Sequence, residues 1–379
     1  MDEQEAITKA QALLNRPGDA NVSPLAVYRH AAKADSVQQR RPNVVLIMME
    51  SMSAKFMKHF GQSETLTPFL DSLYTRSISF RNFYSAGIHT NHGLYATLYS
   101  FPAMMKRNLM KGSVIPRYSG LPTVLKENGY YNLFFMTHEG QYDNMNAFFR
   151  TNGYDEVFSQ ENYPADKVVN SFGVQDDFLY DYAIPVLNQR AATGQPFFAT
   201  LLSISNHPPY VIPPFFHPKT SEPETQIVEY ADWALRQFFE EARKQPWFDN
   251  TIFVLEGDHG KLVGDAECEL PESYNHIPLM IYSSRIQPEE KTTFGGQVDI
   301  QPTILGLLNI DYLQNNFGVD LLKEERPCMF YTADNMVVGR NDTLLYLYNY
   351  ETQQELTYDI GNGKLNAVPM DDSFLPLKE

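Results

Sequence analysis

Residues 253–260, FVLEGDHG, run three apolar residues into an acid and then set Asp258 beside His259, between two glycines. An apolar run followed at once by Gly-rich polar sequence predicts a parallel strand at its C-terminal edge, where open α/β sheets place their ligand crevice. Gly257 and Gly260 are predicted to let the backbone turn sharply beside a ligand, which would aim Asp258 and His259 instead of leaving them in solvent. A carboxylate and an imidazole are both ligands for a divalent metal. The same residues also fit an ordinary strand-to-loop turn with a capping acid and a solvated imidazole, so partners must come from elsewhere in the chain.

The rest of the chain supplies the matching sheet. Val44–Met49 is a continuous apolar run, the mark of a strand buried on both faces, and Glu50 ends it. Further strands are predicted at 130–136, 196–204, 251–257 and 277–283, and ISFRNFYSAG alternates like another. Helical spacing recurs in TPFLDSLYTRS, at 121–129, 144–152, 174–189 and 226–245, and in VDIQPTILGLLNI. This alternation predicts an α/β fold: a mostly parallel central sheet with helices on both faces. After about residue 326 the pattern shifts to short strands with turn signals, MFYTA, NMVVG, RND and TLLYLYNYETQQELTYDI, predicting a small C-terminal antiparallel sheet. Residues 1–40 read as a polar lead-in with helical patterns in EAITKAQALL and PLAVYRHAAK. The expected organisation is therefore 1–40 lead-in, 41–325 catalytic domain and 326–379 small subdomain.

With 379 residues, 43% hydrophobic and 20% charged, the composition is globular. Thirty Lys and Arg against 46 Asp and Glu leave a formal charge of −16. That balance argues against nucleic acid and against adhesion to anionic lipid by bulk charge, so phosphate chemistry must be local. Cys268 and Cys328 form no metal pattern. No apolar run reaches the ~20 residues of a membrane span, and the acidic start is no signal peptide, which predicts a soluble chain.

Glu50, Asp258 and His259 close two parallel strands and are thus delivered to one sheet edge, where together they suit a metal. Thr90 follows an Ala-Gly turn and precedes NHGLYATL, which has helical spacing. A hydroxyl at a helix N-terminus sits in partial positive charge, suited to phosphate and to an alkoxide, although Thr is also a common N-cap. His92 suits either a substrate phosphate or a structural hydrogen bond. His276, at the start of IPLMIY, is expected at the far end of the sheet from the site and is read as structural.

The ordered set PNVVLIMMES, TPFLDSL, FRNFYSAGIHTNHGL, SISNHPPY, VLEGDHG and VDIQPTILGLL resembles the alkaline phosphatase and sulfatase superfamily. Within it the pattern is most similar to the lipoteichoic acid synthase type of phosphoglycerol transferase, over about residues 41–325. The resemblance implies one divalent metal, usually manganese with magnesium or zinc as alternatives, held by Glu50, Thr90, Asp258 and His259. It implies Thr90 as nucleophile, through a covalent phosphothreonine, and His207 and His138 beside the substrate. It also implies a phospholipid headgroup donor, a hydroxyl acceptor, and a membrane anchor outside this chain, with the domain periplasmic or extracellular.

One segment departs from the family. After the His matching His138, the synthases carry a Trp-Asn-Arg that grips glycerol phosphate, whereas this chain reads QYDNMNAFFRTNGYD. Asn144 or Asn146 takes the place of the Asn, while the Arg has no match and Arg150 falls in a predicted helix. Neither cysteine has the Cys-x-Pro-x-Arg setting of a sulfatase, and two cysteines cannot supply the disulfides of phosphoethanolamine transferases. Those features disfavour the two chemistries without removing them: a phosphodiesterase, a phosphoethanolamine transferase or a sulfatase-type hydrolase of the same superfamily, and a non-catalytic binding domain, are the alternatives.

Overall fold

The structure is a computed structural model that describes residues 2–16, 19–30, 41–103, 105–112 and 114–378. Its centre is an eight-stranded sheet in the order Glu289–Gly296, Ile78–Tyr84, Leu279–Tyr282, Thr251–Gly257, Asn43–Met49, Phe197–Leu202, Tyr131–Met136, Glu156–Phe158. Leu279–Tyr282 is antiparallel to both of its neighbours, and the other pairings are parallel.

The apolar run 44–49 explains why helices lie on both sides. Successive side chains of a strand point to opposite faces. Val44, Leu46 and Met48 therefore enter one apolar cluster, with Leu94, Leu98, Leu125, Phe148 and Ile304 from the helices Thr90–Tyr99, Leu121–Glu127, Met145–Thr151 and Ile300–Leu307. Val45, Ile47 and Met49 enter the other, with Leu70, Leu179, Val228 and Phe239 from Pro68–Tyr74, Asp176–Ala191 and Pro223–Ala242. No face of this strand meets water, and all seven of its residues are buried.

The C-terminal sheet is antiparallel throughout, Met329–Thr332, Met336–Arg340, Leu344–Asn349, Gln354–Asp359 and Asn366–Ala367. It shares one apolar cluster with the main body, in which Tyr84, Ala96 and Phe294 meet Met329, Tyr331 and Leu347. The rings of Tyr84 and Tyr331 stack at 5.2 Å.

Three expectations are corrected. RND is not a strand: Arg340 ends one, and Asn341 and Asp342 form the turn to the next, with Asn341 Oδ1 accepting from the Thr343 and Leu344 N–H groups. In PLAVYRHAAK the described part ends in the strand Arg29–His30 instead of a helix, and 31–40 lies outside the described residues. That strand joins Ala20–Asn21 and Leu313–Gln314 in a small sheet, with Arg29 buried in a 3.0 Å ion pair to Asp19, so part of the lead-in is fastened to the body. Tertiary pairing overrides local helical spacing there. His276 begins an antiparallel strand, so it starts at the same sheet edge as the ends of the parallel strands, not the far one. It is nonetheless committed to packing, with its Nε2 2.8 Å from the Arg81 carbonyl and its ring stacked on Tyr84. Gly257 and Gly260 flank the bend at Asp258 as expected, and the close approach they allow is to backbone, since a Cβ would stand 2.5 Å from the Met52 carbonyl oxygen and 2.1 Å from that of Ser273.

Candidate metal centre and active site

Met49 and Gly257 are directly paired in the sheet, so the residues after them, Glu50 and Asp258, leave the sheet edge side by side. Ser51 locks the pair together. Its N–H donates to Asp258 Oδ1 at 2.8 Å and its hydroxyl to Glu50 Oε1 at 2.6 Å, holding Ser51 at φ +50°, a conformation non-glycine residues rarely adopt. The Glu50 N–H in turn donates to Ser203 Oγ at 3.0 Å, at the end of the neighbouring strand.

Thr90 comes from a third segment. The helix begins at Thr90, with His89 in the N-cap position and no side-chain cap bond, so Thr90 is not a cap. Gly93 brings the helix close: a Cβ there would lie 2.2 Å from the Asp258 carbonyl oxygen. Thr90 Oγ1 consequently stands 3.5 Å from Glu50 Oε2, too far for a strong hydrogen bond.

Glu50, Asp258 and His259 each offer a ligand atom within 4.8 Å of the others. His259 Nε2 is 3.9 Å from Glu50 Oε1 and 3.6 Å from Asp258 Oδ2. Its Nδ1 lies 2.7 Å from the Gly260 carbonyl, which only accepts, so Nδ1 carries a hydrogen and Nε2 is the nitrogen left to offer a lone pair. Asp258 Oδ2 is buried without a hydrogen-bond partner. Ligand atoms at ~2.1 Å from an ion stand about 3.0–3.5 Å apart, close to the spacings found here. The unpartnered Asp258 Oδ2 and the His259 Nε2 lone pair, facing the Glu50 carboxylate, fit a divalent cation held by oxygen and imidazole.

Electrostatics point the same way. Burial, followed by the neighbouring Asp258, pushes the Glu50 carboxyl well above its usual value near 4.5. The metal-free fold then binds more protons than the unfolded chain between 4.5 and that raised value, so its stability falls as pH rises through the window. A cation needs both carboxyls ionised and reverses the trend. Melting temperatures from pH 5 to 8 should therefore show a manganese-induced gain, relative to chelator, that grows with pH. A gain independent of pH would contradict the assignment.

The imidazoles expected near the substrate fall into two groups. His207 is partly exposed, its ring 4.0 Å from that of Phe172 and its Nδ1 2.6 Å from the Pro208 carbonyl, which leaves Nε2 available. His138 is 2% exposed, with Nδ1 3.1 Å from the Glu139 carbonyl, and burial lowers its pKa. His92 is 3% exposed beneath Gly87, and burial, then His89, lowers its pKa to about 4. Asn144 donates to the Met110 carbonyl at 3.0 Å, and Asn146 Oδ1 accepts from Arg150 at 2.8 Å, so both amides are engaged within the chain.

Sequence reasoning missed several neighbours. Asp334, in the turn after Met329–Thr332, reaches His89 Nε2 at 2.7 Å, so the C-terminal sheet touches the residue before Thr90. Lys261, two residues after His259, donates to Asn206 Oδ1 and to the Tyr210 hydroxyl. Burial pushes its ammonium down to about 8, opposed by Glu50. Its place beside GDHG was the only signal in the sequence.

Residues 42–310 match the family described as Sulfatase. The chain is 25% identical to lipoteichoic acid synthase 1 of Bacillus subtilis over 354 residues, covering 86% of this chain and 54% of that protein. It is 26% identical to phosphoglycerol transferase I of Xanthomonas campestris over 323 residues, covering 80% of this chain and 46% of that one. The chain thus spans about half the length of these relatives. Among solved structures, a protein in the alkaline phosphatase superfamily from Vibrio parahaemolyticus superposes with a TM-score of 0.85 at 28% identity, covering 99% of this chain and 93% of that one. The lipoteichoic acid synthase LtaP of Listeria monocytogenes gives 0.78 at 19% identity, covering 97% and 93%.

Proposed function

The chain belongs to the sulfatase family, and on that premise we propose that it is a metal-dependent phosphoglycerol transferase acting through a phosphothreonine at Thr90. The observation that carries this reading is the Thr90 hydroxyl, 3.5 Å from Glu50 at the rim of the Glu50, Asp258 and His259 cluster. A divalent cation held by these four residues would lower the hydroxyl pKa and neutralise a nonbridging phosphate oxygen. An anionic substrate is further supported by charge: no Asp or Glu occurs between residues 72 and 126 in a chain that carries 46 of them. The names of the relatives favour glycerol phosphate as the headgroup.

The chain's own groups account for the proton movements. Thr90, its proton lost to solvent, forms the Oγ1–P bond as the bond from phosphorus to the lipid oxygen breaks. His207, protonated at Nε2, gives that proton to the departing oxygen. The neutral imidazole then takes a proton from the acceptor hydroxyl, which attacks phosphorus and frees Thr90. His138 suits this role less, because burial holds it neutral and out of solvent.

A phosphodiesterase is the second reading. Asn144 and Asn146 are engaged with Met110 and Arg150, which leaves the segment after His138 without the grip expected for a headgroup held through two steps. Product analysis separates the readings. With phosphatidylglycerol, manganese and an added hydroxyl acceptor, diacylglycerol and an acceptor bearing glycerol phosphate are expected. Free glycerol phosphate formed at a rate indifferent to acceptor would indicate the diesterase, and turnover confined to sulfate esters would reject both.

A further inference from the structure

We propose that Lys261 is a positioning residue that fixes the His207 loop to the two segments carrying Glu50 and His259. The inference rests on the assignment of His207 to proton transfer. Lys261 Nζ donates to Asn206 Oδ1, and to the Tyr210 hydroxyl at 3.1 Å, so it grips the loop on both sides of His207. The ammonium also lies 4.8 Å from the Tyr210 ring centroid and 5.4 Å from that of Phe56, a geometry in which aromatic faces attract a cation. Asn206 is itself buried, and its amide donates to the Ser51 carbonyl at 3.1 Å. Ser51 is the residue whose N–H and hydroxyl hold Asp258 and Glu50.

One side chain thus closes a ring through three sheet-edge segments: 50–51, 206–210 and 258–261. The start of the loop is held by Asp176, whose Oδ1 accepts from the Ile204 and Ser205 N–H groups, and the His207 N–H donates to the Ile204 carbonyl. The His207 ring itself bonds only within its loop and, among the described residues, packs on Phe172, so Lys261 is what ties the 206–210 half of the loop to the metal cluster. With Lys261 gone, Asn206 Oδ1 and the Tyr210 hydroxyl lose their shared donor, and residues 206–210, although still held at Asn206 by Ser51, gain the freedom to shift the imidazole from the leaving oxygen. A displacement of ~1 Å in a proton-transfer group is enough to cost about 100-fold in rate.

The test is a double-mutant cycle on transfer from phosphatidylglycerol by the manganese-loaded protein. Lys261→Met keeps the apolar stem and should lower kcat roughly 10- to 100-fold with little change in KM. In a His207→Ala background the same substitution should change kcat less than about twofold, because there is no imidazole left to position. A loss of fold or metal site would instead multiply through in both backgrounds, and equal effects in both would overturn the proposal, as would a Lys261→Met enzyme with wild-type kcat. Should Lys261→Met not fold, Tyr210→Phe, which removes a single acceptor, is read in the same cycle with the same criteria and a smaller effect. His207→Ala with wild-type kcat would refute the role of His207 itself, whereas an impaired His207→Ala with additive Lys261→Met losses would refute Lys261 alone.

Discussion

Thr90→Ala is expected to lower kcat for headgroup transfer at least about 10⁴-fold, the scale on which removal of a covalent nucleophile acts when its helpers have nothing left to activate. The fold should hardly respond. Thr90 occupies the first turn of its helix, makes no capping bond, and among the described residues its hydroxyl has Glu50 Oε2 at 3.5 Å as hydrogen-bond partner, so the stability change should stay within about 0.5 kcal/mol. Thr90→Ser keeps the hydroxyl and loses the methyl that restricts its rotamer, and should retain part of the activity. Circular dichroism and headgroup binding unchanged beside an absent turnover would separate loss of chemistry from loss of structure. Wild-type turnover by Thr90→Ala would mean that water, not Thr90, attacks phosphorus.

Glu50→Gln is expected to abolish stoichiometric manganese binding and to lower kcat by about 10³, since a catalytic cation contributes several kcal/mol and 1.36 kcal/mol is tenfold. Stability should change in opposite senses with and without metal. In chelator, Glu50→Gln removes one of two buried, mutually repelling carboxyls and should melt no lower than wild type. In manganese the order should reverse, because only wild type gains binding energy. Elemental analysis and melting curves in both conditions read this out. A Glu50→Gln protein that retained one manganese per chain and normal turnover would remove Glu50 from the site.

The features that were legible in the sequence are those a short window can carry. Val44–Met49 predicts burial on both faces because it is apolar at every position, and Thr251–Gly257 falls at its predicted bounds because Gly257 and Asp258 end it. Since parallel strands bring their ends to one edge, the juxtaposition of Glu50, Asp258 and His259 follows from those runs. Direction is another matter. Leu279–Tyr282 is a short apolar run like its neighbours, and nothing in such a run distinguishes antiparallel from parallel, so His276 was assigned to the wrong edge. The edge strands Glu156–Phe158 and Glu289–Gly296 were invisible because one is short and the other opens with charge. Residues acting through distant partners were equally hidden: the Lys261 grip on Asn206 spans 55 positions, and the Asp334 contact with His89 spans 245. The burial of His92 depends on Gly87 lying across its ring, which no periodicity encodes.

Rapidly quenched incubation with phosphatidylglycerol and manganese in the absence of acceptor, followed by intact-mass analysis and peptide mapping, tests the phosphothreonine most directly. The account predicts a mass gain of one glycerophosphoryl group, mapped to Thr90 and absent from Thr90→Ala. Diacylglycerol release in the same samples with the Thr90 peptide unmodified at every quench time, or the adduct on another side chain, would contradict it.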